Sequence, residues 1–249
     1  MLDTSGMATE RTRRPPGQFG SLVRASHPRQ AVAFAAVVGL LVGVTRDDPA
    51  REVAISAAAV LLAQATMGLV NDLLDADIDR LSGATGKPVA DRALPPGNVG
   101  FAIAVLLLVV LPLSLQNGTV AGVFLLSTLV VGFVHNRWLH TTILSWVGWS
   151  ATFALLPYFV TYGGWASDAD GSEPFTSFVV LSAVLGLFVH FLTSLPDLVV
   201  DNQAGVRHLP MRVALHTGAP RLLVMTLVAT VATLGALIYT TALNAAIAR

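Results

Sequence analysis

The stretch that decides the fold is residues 52–79, EVAISAAAVLLAQATMGLVNDLLDADID, in which an apolar run ends in a dense group of carboxylates. The acidic end reads Asn71-Asp72-Leu73-Leu74-Asp75-Ala76-Asp77-Ile78-Asp79. In a helix, side chains four residues apart share a face, so Asn71, Asp75 and Asp79 would line one side. Carboxylates on adjacent turns repel one another, and a hard divalent cation with oxygen ligands is the simplest group that would hold them together.

A second acidic pair closes another long apolar run near the other end of the chain. Asp197 and Asp201 have the same four-residue spacing, and each motif is followed by a similar string, Arg92-Ala93-Leu94-Pro95 and Arg207-His208-Leu209-Pro210. This repetition indicates a faint internal duplication. It predicts two acidic helix ends that face one shared site.

Polar residues inside the apolar runs stand at matching helical positions relative to the two acidic motifs. Gln64 precedes Asn71 by seven residues, and His190 precedes Asp197 by seven, which returns each to nearly the same helix face. Thr193 lies one turn before Asp197. Polar groups within spans normally face the bundle interior, so these side chains are predicted to line a common cavity. Hydrogen bonding between helices is the alternative role for Gln64 and His190.

The composition is that of a membrane protein. Of 249 residues, 54% are hydrophobic and 12% are charged, and the mean hydropathy is +0.68, whereas soluble domains carry roughly a quarter charged residues. The sequence has no period-two pattern of a membrane barrel, so the spans are predicted to be helices. The absence of cysteine excludes disulfides and thiolate metal sites. We therefore predict an all-α, polytopic membrane bundle with about seven transmembrane helices, over residues 30–45, 52–71, 99–115, 119–135, 142–162, 175–196 and 220–247.

The distribution of Lys and Arg predicts the orientation in the membrane. Twelve of the fifteen lie in the N-terminal segment or on the side of the acidic motifs, and three lie on the opposite side. The positive-inside rule then places the N terminus and the acidic motifs in the cytoplasm, in an integral protein of the cell (inner) membrane. Residues 1–20 are predicted to be a disordered basic tail that turns helical near residues 21–29, and residues 21–249 to form the transmembrane domain.

The loop from Leu81 to Val99 carries charges complementary to the carboxylates. Several glycines and prolines interrupt any helix there, and the loop holds Arg92 and Lys87, the only lysine in the protein. A cationic, glycine-bearing loop beside an acidic helix end suits a phosphorylated ligand, with Mg²⁺ bridging carboxylates to phosphate oxygens and the basic side chains contacting the remainder. The alternative is that Lys87 and Arg92 only anchor the topology.

These motifs resemble the UbiA superfamily of intramembrane prenyltransferases. The residues that carry the resemblance are Asn71-Asp72-x-x-Asp75-x-x-x-Asp79 at a helix end, Asp197-x-x-x-Asp201, and the loop Lys87-Pro88…Arg92 between them. It extends to Arg24-Ala25-Ser26-His27-Pro28 and to residues 146–157, and so covers most of the chain from about residue 21. The resemblance implies a helical bundle around a central cavity that opens to the cytoplasmic side and to lipid.

The same resemblance implies which residues form the site. It implies that one Mg²⁺ is bound by Asn71, Asp72, Asp75 and Asp79 and a second by Asp197 and Asp201, and that both ions grip an isoprenyl diphosphate. The implied catalytic residues are Asp72, Asp75, Asp79, Asp197 and Asp201, and the implied substrate contacts are Asn71, Lys87, Arg92, Asn136 and Arg24. Membrane lipid is the other expected partner, and no nucleic-acid partner is expected.

The sequence departs from the family pattern in two respects. Family members usually carry eight or nine spans, whereas seven apolar runs are visible here. In the loop before the fifth run, relatives often show a Tyr and a Lys where this chain has His135 and His140. This difference argues against a cationic phosphate contact from that loop, although Asn136 and Arg137 remain candidates.

Three functions are compatible with these features. In a prenyltransferase, the interpretation we favour, an allylic diphosphate ionises beside divalent cations and alkylates an aromatic or lipid-precursor acceptor in an apolar bundle that excludes water. In a terpene cyclase, the prenyl chain captures its own cation. A transporter or ion-binding bundle is the third function, although acids at span ends beside basic loops are atypical of mid-bilayer transport sites. Aromatic faces in the fifth run are candidates to stabilise the cation; they belong to Trp146, Trp149, Phe153, Tyr158 and Tyr162.

Overall fold

The computed structural model describes residues 17–46, 50–81, 83, 85–163 and 172–247. Within these residues the chain forms helices joined by turns and loops, without a strand. The α-helices are α1 (Gln18–Ala25), α2 (Pro28–Arg46), α3 (Ala50–Leu74), α4 (Ala76–Leu81), α5 (Pro96–Leu115), α6 (Thr119–Val134), α7 (Ser145–Tyr162), α8 (Thr176–Ser194), α9 (Leu198–Gln203), α10 (Leu209–Thr217) and α11 (Ala219–Ile247). A π-helical turn, His135–Leu139, follows α6, and a 3-10 turn, Leu195–Asp197, joins α8 to α9.

The seven apolar runs form the seven long helices α2, α3, α5, α6, α7, α8 and α11. In the described part of the chain, six helical segments are long and apolar enough to cross a membrane, and α7 is not among them. Helix α7 has 18 residues, but serines, threonines, tryptophans and tyrosines interrupt its apolar character. The predicted all-α class is confirmed, and the protein is an integral membrane protein.

Helix α7 differs from the other long helices because its neighbours and the chain around it cover nearly all of it: of its 18 residues only Trp146 is exposed. It packs against α8, α6 and α2, while α3 packs against α2, α5 and α6, and α11 covers α8. Buried apolar side chains fill the space between α2, α3, α6 and α7, among them Val42, Val60 and Phe159. A helix surrounded by other helices has less contact with lipid, so α7 tolerates polar side chains that an outer helix would not.

The acidic end of α3 bends at Asp75. Helix α3 stops at Leu74 and α4 begins at Ala76, yet the Asp75 N–H still donates to the Asn71 carbonyl at 2.9 Å and the Asp79 N–H to the Asp75 carbonyl at 2.8 Å. The helical repeat therefore continues through the bend.

The loop between α4 and α5 is folded onto α3 rather than open. Both Ala93 and Leu94 donate their backbone N–H to the Pro88 carbonyl, at 3.0 and 3.1 Å. Val89 and Leu94 are buried among apolar residues of α3 and α5. Burial of these side chains fixes the loop, and with it the position of Lys87.

The N-terminal boundary differs in detail from the prediction. Helix α1 begins at Gln18, inside the segment predicted as a tail, and residues 1–16 lie outside the described residues. Helix α1 ends at Ala25 instead of continuing to residue 29. His27 has a backbone φ of 51°, which breaks the helix, and Pro28 then starts α2.

Candidate active site

The first acidic motif is gathered at the junction of α3 and α4. The amide Nδ2 of Asn71 donates to Oδ2 of Asp75 at 2.6 Å. Asp72 is 1% exposed, and its Oδ2 accepts a hydrogen bond from the backbone N–H of Val89 at 3.2 Å. The structure thus brings Asn71, Asp72 and Asp75 together with the start of the basic loop.

Lys87 joins the loop to this motif. Its Nζ lies 3.6 Å from Oδ2 of Asp79. Burial raises the pKa of Asp79 above its ordinary value; Lys87 opposes this effect, and the carboxylates of Asp75 and Asp72 reinforce it. The ammonium group of Lys87 therefore lies at the first acidic motif.

His140 lies beside Asp75, with Nε2 at 3.3 Å from Oδ1 of the carboxylate. Burial lowers the pKa of His140, but the neighbouring Asp75 outweighs this effect, so the pKa is raised overall. The carboxylate of Asp201, in the second motif, also raises the pKa of His140. The loop before α7, in which Asn136 and Arg137 were the remaining candidates for a phosphate contact, therefore places an imidazole at the acidic site. Arg137 lies instead over the ring of Trp138, at 5.7 Å from its centroid.

The second acidic motif lies in a break between helices. Asp197 ends the 3-10 turn after α8, and Asp201 lies in α9. Oδ2 of Asp201 is 2.8 Å from Nε2 of His208. Nδ1 of His208 accepts a hydrogen bond from the Met211 N–H at 3.0 Å, so the ring proton is on Nε2 and is donated to Asp201.

Four imidazoles form a row between the two motifs. The ring centroids are 6.4 Å apart for His140 and His135, 6.0 Å for His135 and His190, and 6.4 Å for His190 and His208. The row begins beside the first motif and ends beside the second. This row was not predicted, because its members come from separate segments. The one signal in the sequence was that His190 and His208 flank the second acidic motif, each seven residues from an aspartate.

His190 bonds to a neighbouring helix. It is 5% exposed, and its Nε2 lies 2.8 Å from Oγ of Ser145 in α7. Its ring also stacks on Trp149, with centroids 5.9 Å apart. For His190 the structure thus shows the interhelical role that the sequence analysis gave as the alternative.

A largely apolar cavity of about 440 Å³ lies inside the bundle. Residues of α2, α3, α6, α7, α8 and α11 line it. Its polar residues include Gln64, Asn136 and Thr193, so the prediction that Gln64 and Thr193 share a cavity is confirmed. His135 also lines it, which connects the cavity to the histidine row and hence to the acidic motifs.

Aromatic rings form part of the cavity wall. Of the five aromatic residues named from the sequence, Trp149 and Phe153 line the cavity. The ring of Phe153 meets that of Phe34 edge to face, with centroids 5.3 Å apart. The other three lie elsewhere: Tyr158 and Tyr162 stack on Phe124, and Trp146 is partly exposed.

The remaining predicted substrate contacts are distributed around the acidic end. Arg24 of α1 reaches the basic loop, since a Cβ placed on Gly86 would collide with its guanidinium group. Arg92 is exposed and has a backbone φ of 58°. Asn136 faces the cavity instead of the carboxylates. Arg24 and Lys87 are thus the predicted basic contacts for which the structure shows a partner in the loop or the first acidic motif.

The first motif has oxygen atoms that fit a hard cation. Oδ1 of Asp72 is buried and has no hydrogen-bond partner among the described residues, and Oδ1 of Asp75 is buried beside Nε2 of His140, at 3.3 Å. In that same part of the chain, no three acidic or histidine side chains stand close enough to hold an ion by themselves. Mg²⁺ often takes only one or two carboxylates and completes its shell with water and phosphate oxygens, so this donor set suits it.

Comparison with known proteins gives concordant results for sequence and fold. The sequence profile of the UbiA prenyltransferase family matches residues 32–248. Protoheme IX farnesyltransferase 1 of Paramagnetospirillum magneticum is 32% identical over 207 residues, which cover 78% of this chain and 69% of the relative.

Two solved structures share the fold. A UbiA homolog from Archaeoglobus fulgidus bound to GPP and Mg²⁺ superposes with a TM-score of 0.68 at 16% identity, over 88% of this chain and 77% of that one. A structure of digeranylgeranylglyceryl phosphate synthase superposes with a TM-score of 0.58 at 16% identity, over 85% and 76% of the two chains. At these identities the likeness concerns the arrangement of helices.

Proposed function

We propose, from the premise that this chain belongs to the UbiA prenyltransferase family, that it ionises an isoprenyl diphosphate with the help of Mg²⁺ and transfers the prenyl group to an aromatic or lipid-precursor acceptor. The observation that carries the proposal is the position of Lys87, whose Nζ lies 3.6 Å from Oδ2 of Asp79 and whose loop is bonded to Asp72 through the Val89 N–H. A diphosphate held between two acidic motifs needs such a cation.

The residues proposed to hold Mg²⁺ are those of the two acidic motifs. They are Asn71, Asp72, Asp75 and Asp79 for one ion and Asp197 and Asp201 for another. When bound, Mg²⁺ would neutralise the charge that develops on the diphosphate as it leaves. The buried Oδ1 of Asp72, which has no hydrogen-bond partner among the described residues, supports the first of these two ligand sets.

The basic side chains are proposed to bind and orient the diphosphate. Lys87 would contact the terminal phosphate oxygens, with Arg24 and Arg92 at the edge of the loop. The carbon–oxygen bond to the prenyl group then breaks, and its electron pair leaves with the diphosphate. Preorganised positive charge favours this step because it stabilises the negative charge that develops on the leaving diphosphate.

The apolar cavity is proposed to hold the prenyl chain and to keep water from the allylic cation. The ring faces of Trp149 and Phe153 line it and would stabilise a nearby cation by about 0.5–2 kcal/mol each. An aromatic acceptor would form the new bond to the prenyl carbon with its π electrons and then lose a ring proton. A lipid precursor would form that bond with an oxygen lone pair and lose the hydroxyl proton.

The similarity to a protoheme IX farnesyltransferase supports farnesyl diphosphate and protoheme IX as the first donor and acceptor to assay. Purified protein would be incubated with Mg²⁺ and C10, C15 or C20 prenyl diphosphates, with and without protoheme IX or a membrane extract. Prenylated acceptor formed only when acceptor is present is the expected result. A cyclised hydrocarbon formed without acceptor would indicate a terpene cyclase.

Two variants of neighbouring aspartates test whether turnover depends on the proposed metal site. Asp75→Asn should lower diphosphate release by several orders of magnitude, since it removes a proposed metal ligand. Asp77→Asn is the matched control, because Asp77 is 88% exposed and pairs with Arg80 at 2.8 Å on the outer face of α4. Near-normal turnover by Asp75→Asn, or no Mg²⁺-dependent turnover by the unmodified protein, would refute the proposal.

A further inference from the structure

We propose that His208 is a positioning residue that fixes the orientation of the Asp201 carboxylate. The inference rests on the proposed function, in which Asp201 helps to bind a metal–diphosphate complex. The side chain of His208 is 7% exposed and that of Asp201 is 25% exposed. The imidazole therefore supports the carboxylate from the protein side, and the carboxylate keeps an accessible edge.

The hydrogen bonds of His208 select one tautomer. The Met211 N–H, at 3.0 Å from Nδ1, can only donate, so Nδ1 must accept. The ring proton is then on Nε2, which lies 2.8 Å from Oδ2 of Asp201. The backbone at the start of α10 thus sets the ring in the form that donates to the carboxylate.

The segment that carries His208 is itself anchored to the bundle. The next residue, Leu209, donates its N–H to Oγ of Ser145 in α7 at 3.4 Å, and the same oxygen pairs with His190. Met211 is 2% exposed. A ring held on both sides by buried structure cannot easily turn away, so it restricts Asp201 to one orientation.

Groups that hydrogen-bond to a metal ligand orient it, and their loss typically costs about 10- to 100-fold in metal affinity. The competing explanation is that His208 is only the cap of α10, whose side chain accepts from the Met211 N–H. The two roles are separable by substitution. Asn is a good N-cap residue, but its shorter side chain would not reach Asp201, so His208→Asn keeps the cap and removes the contact.

The test uses the full chain purified in detergent. Binding of inorganic pyrophosphate would be measured by calorimetry over a series of Mg²⁺ concentrations, together with the thermal midpoint. We expect His208→Asn to raise the Mg²⁺ concentration for half-maximal pyrophosphate binding about 10- to 100-fold and to leave the midpoint unchanged. His216→Asn is the control, since that exposed ring bonds only locally, to the Arg212 carbonyl, and should change neither value.

The variant Asp201→Asn separates failure of this inference from failure of the proposed function. Asp201→Asn should itself weaken Mg²⁺-dependent pyrophosphate binding, and His208→Asn should add nothing in that background. If Asp201→Asn weakens binding but His208→Asn does not, or if the two effects multiply, His208 is only a cap and the inference is overturned. If Asp201→Asn binds normally, Asp201 is no ligand, and both the inference and that part of the proposed function fail.

Discussion

The carboxylate of Asp72 holds the basic loop against the acidic helix end: its Oδ2 accepts a hydrogen bond from the backbone N–H of Val89 at 3.2 Å, across 17 residues of sequence. Asp72 is 1% exposed and Val89 is 2% exposed. Since Lys87 lies two residues before Val89, the bond also sets where the ammonium group stands. Asp72 therefore serves the site through the loop, in addition to any contact made by its other oxygen.

This bond predicts different effects for two substitutions of Asp72. Asp72→Ala leaves the buried Val89 N–H without an acceptor, which costs about 1–3 kcal/mol, and should release the loop. Asp72→Asn keeps an acceptor oxygen and should retain the loop, although it weakens metal binding. Hydrogen exchange of residues 86–94 measures the difference, with fast exchange expected in Asp72→Ala alone. Equal loop protection in both variants would show that the bond does not hold the loop.

A second prediction concerns the ammonium group itself. Lys87→Ala should raise the KM for the prenyl diphosphate about 10- to 100-fold with a smaller effect on kcat, because the side chain is proposed to bind the diphosphate and 1.4 kcal/mol corresponds to a factor of ten. Initial rates over a range of donor concentrations give both constants. Arg80→Ala is the control, since Arg80 pairs with the exposed Asp77. An unchanged KM in Lys87→Ala would contradict the diphosphate contact.

The parts of the site that follow from local sequence were predictable. The four-residue spacing of Asn71 and Asp75 places them on one helix face, and the structure shows them hydrogen-bonded at 2.6 Å. Breakers around Lys87 predicted a loop with charges complementary to the carboxylates, and the structure shows that loop with Lys87 beside Asp79. These features depend on helix geometry and charge, which a short stretch of sequence specifies.

The parts that depend on how helices pack were not predictable. His140 meets Asp75 only because the π-helical turn after α6 packs against the end of α3. His208 reaches Asp201 across seven residues, but only because the chain turns back between α9 and α10. The bend at Asp75 is another example, because a single chain segment does not reveal that the helix changes direction there. Packing also explains α7, whose interior position reduces its need for apolar side chains.

The orientation in the membrane gives a third prediction. Because the chain has no cysteine, a single introduced cysteine is its only thiol and can be labelled selectively. Ala204 follows α9 near the second acidic motif, whereas Ala50 starts α3 at its opposite end, and both are exposed. With the acidic motifs in the cytoplasm, a membrane-impermeant thiol reagent applied to intact cells should label Ala50→Cys and spare Ala204→Cys. Labelling after lysis should reach both. Labelling of Ala204→Cys but not of Ala50→Cys in intact cells would show that the orientation is opposite to the predicted one.

The cavity wall gives a fourth prediction, on the length of the prenyl chain. Phe153 lies about two helical turns beyond the start of α7 and meets Phe34 at 5.3 Å, so its ring limits the cavity away from the acidic motifs. Phe153→Ala should shift the ratio of kcat/KM values toward the next longer prenyl diphosphate. Phe124→Ala removes a ring that stacks on Tyr158, outside the residues that line the cavity, and should leave the ratio unchanged. An unaltered chain-length preference in Phe153→Ala would show that the ring of Phe153 does not limit the length of the prenyl chain.

The contact of α8 with α7 gives the last prediction. A Cβ at Gly186 would lie 2.6 Å from the Trp149 carbonyl oxygen and 2.8 Å from Cβ of Phe153, so Gly186→Ala must push α7 away from α8. Such overpacking typically costs about 1–3 kcal/mol and would displace two aromatic rings proposed to face the cation. We expect a lower thermal midpoint and a lower kcat. Gly235→Ala in α11, where a Cβ meets no atom within 4 Å, should change neither. Because Gly186 does not touch the carboxylates, Mg²⁺-dependent pyrophosphate binding should persist in Gly186→Ala; its loss would mean that the two ends of the site are not independent.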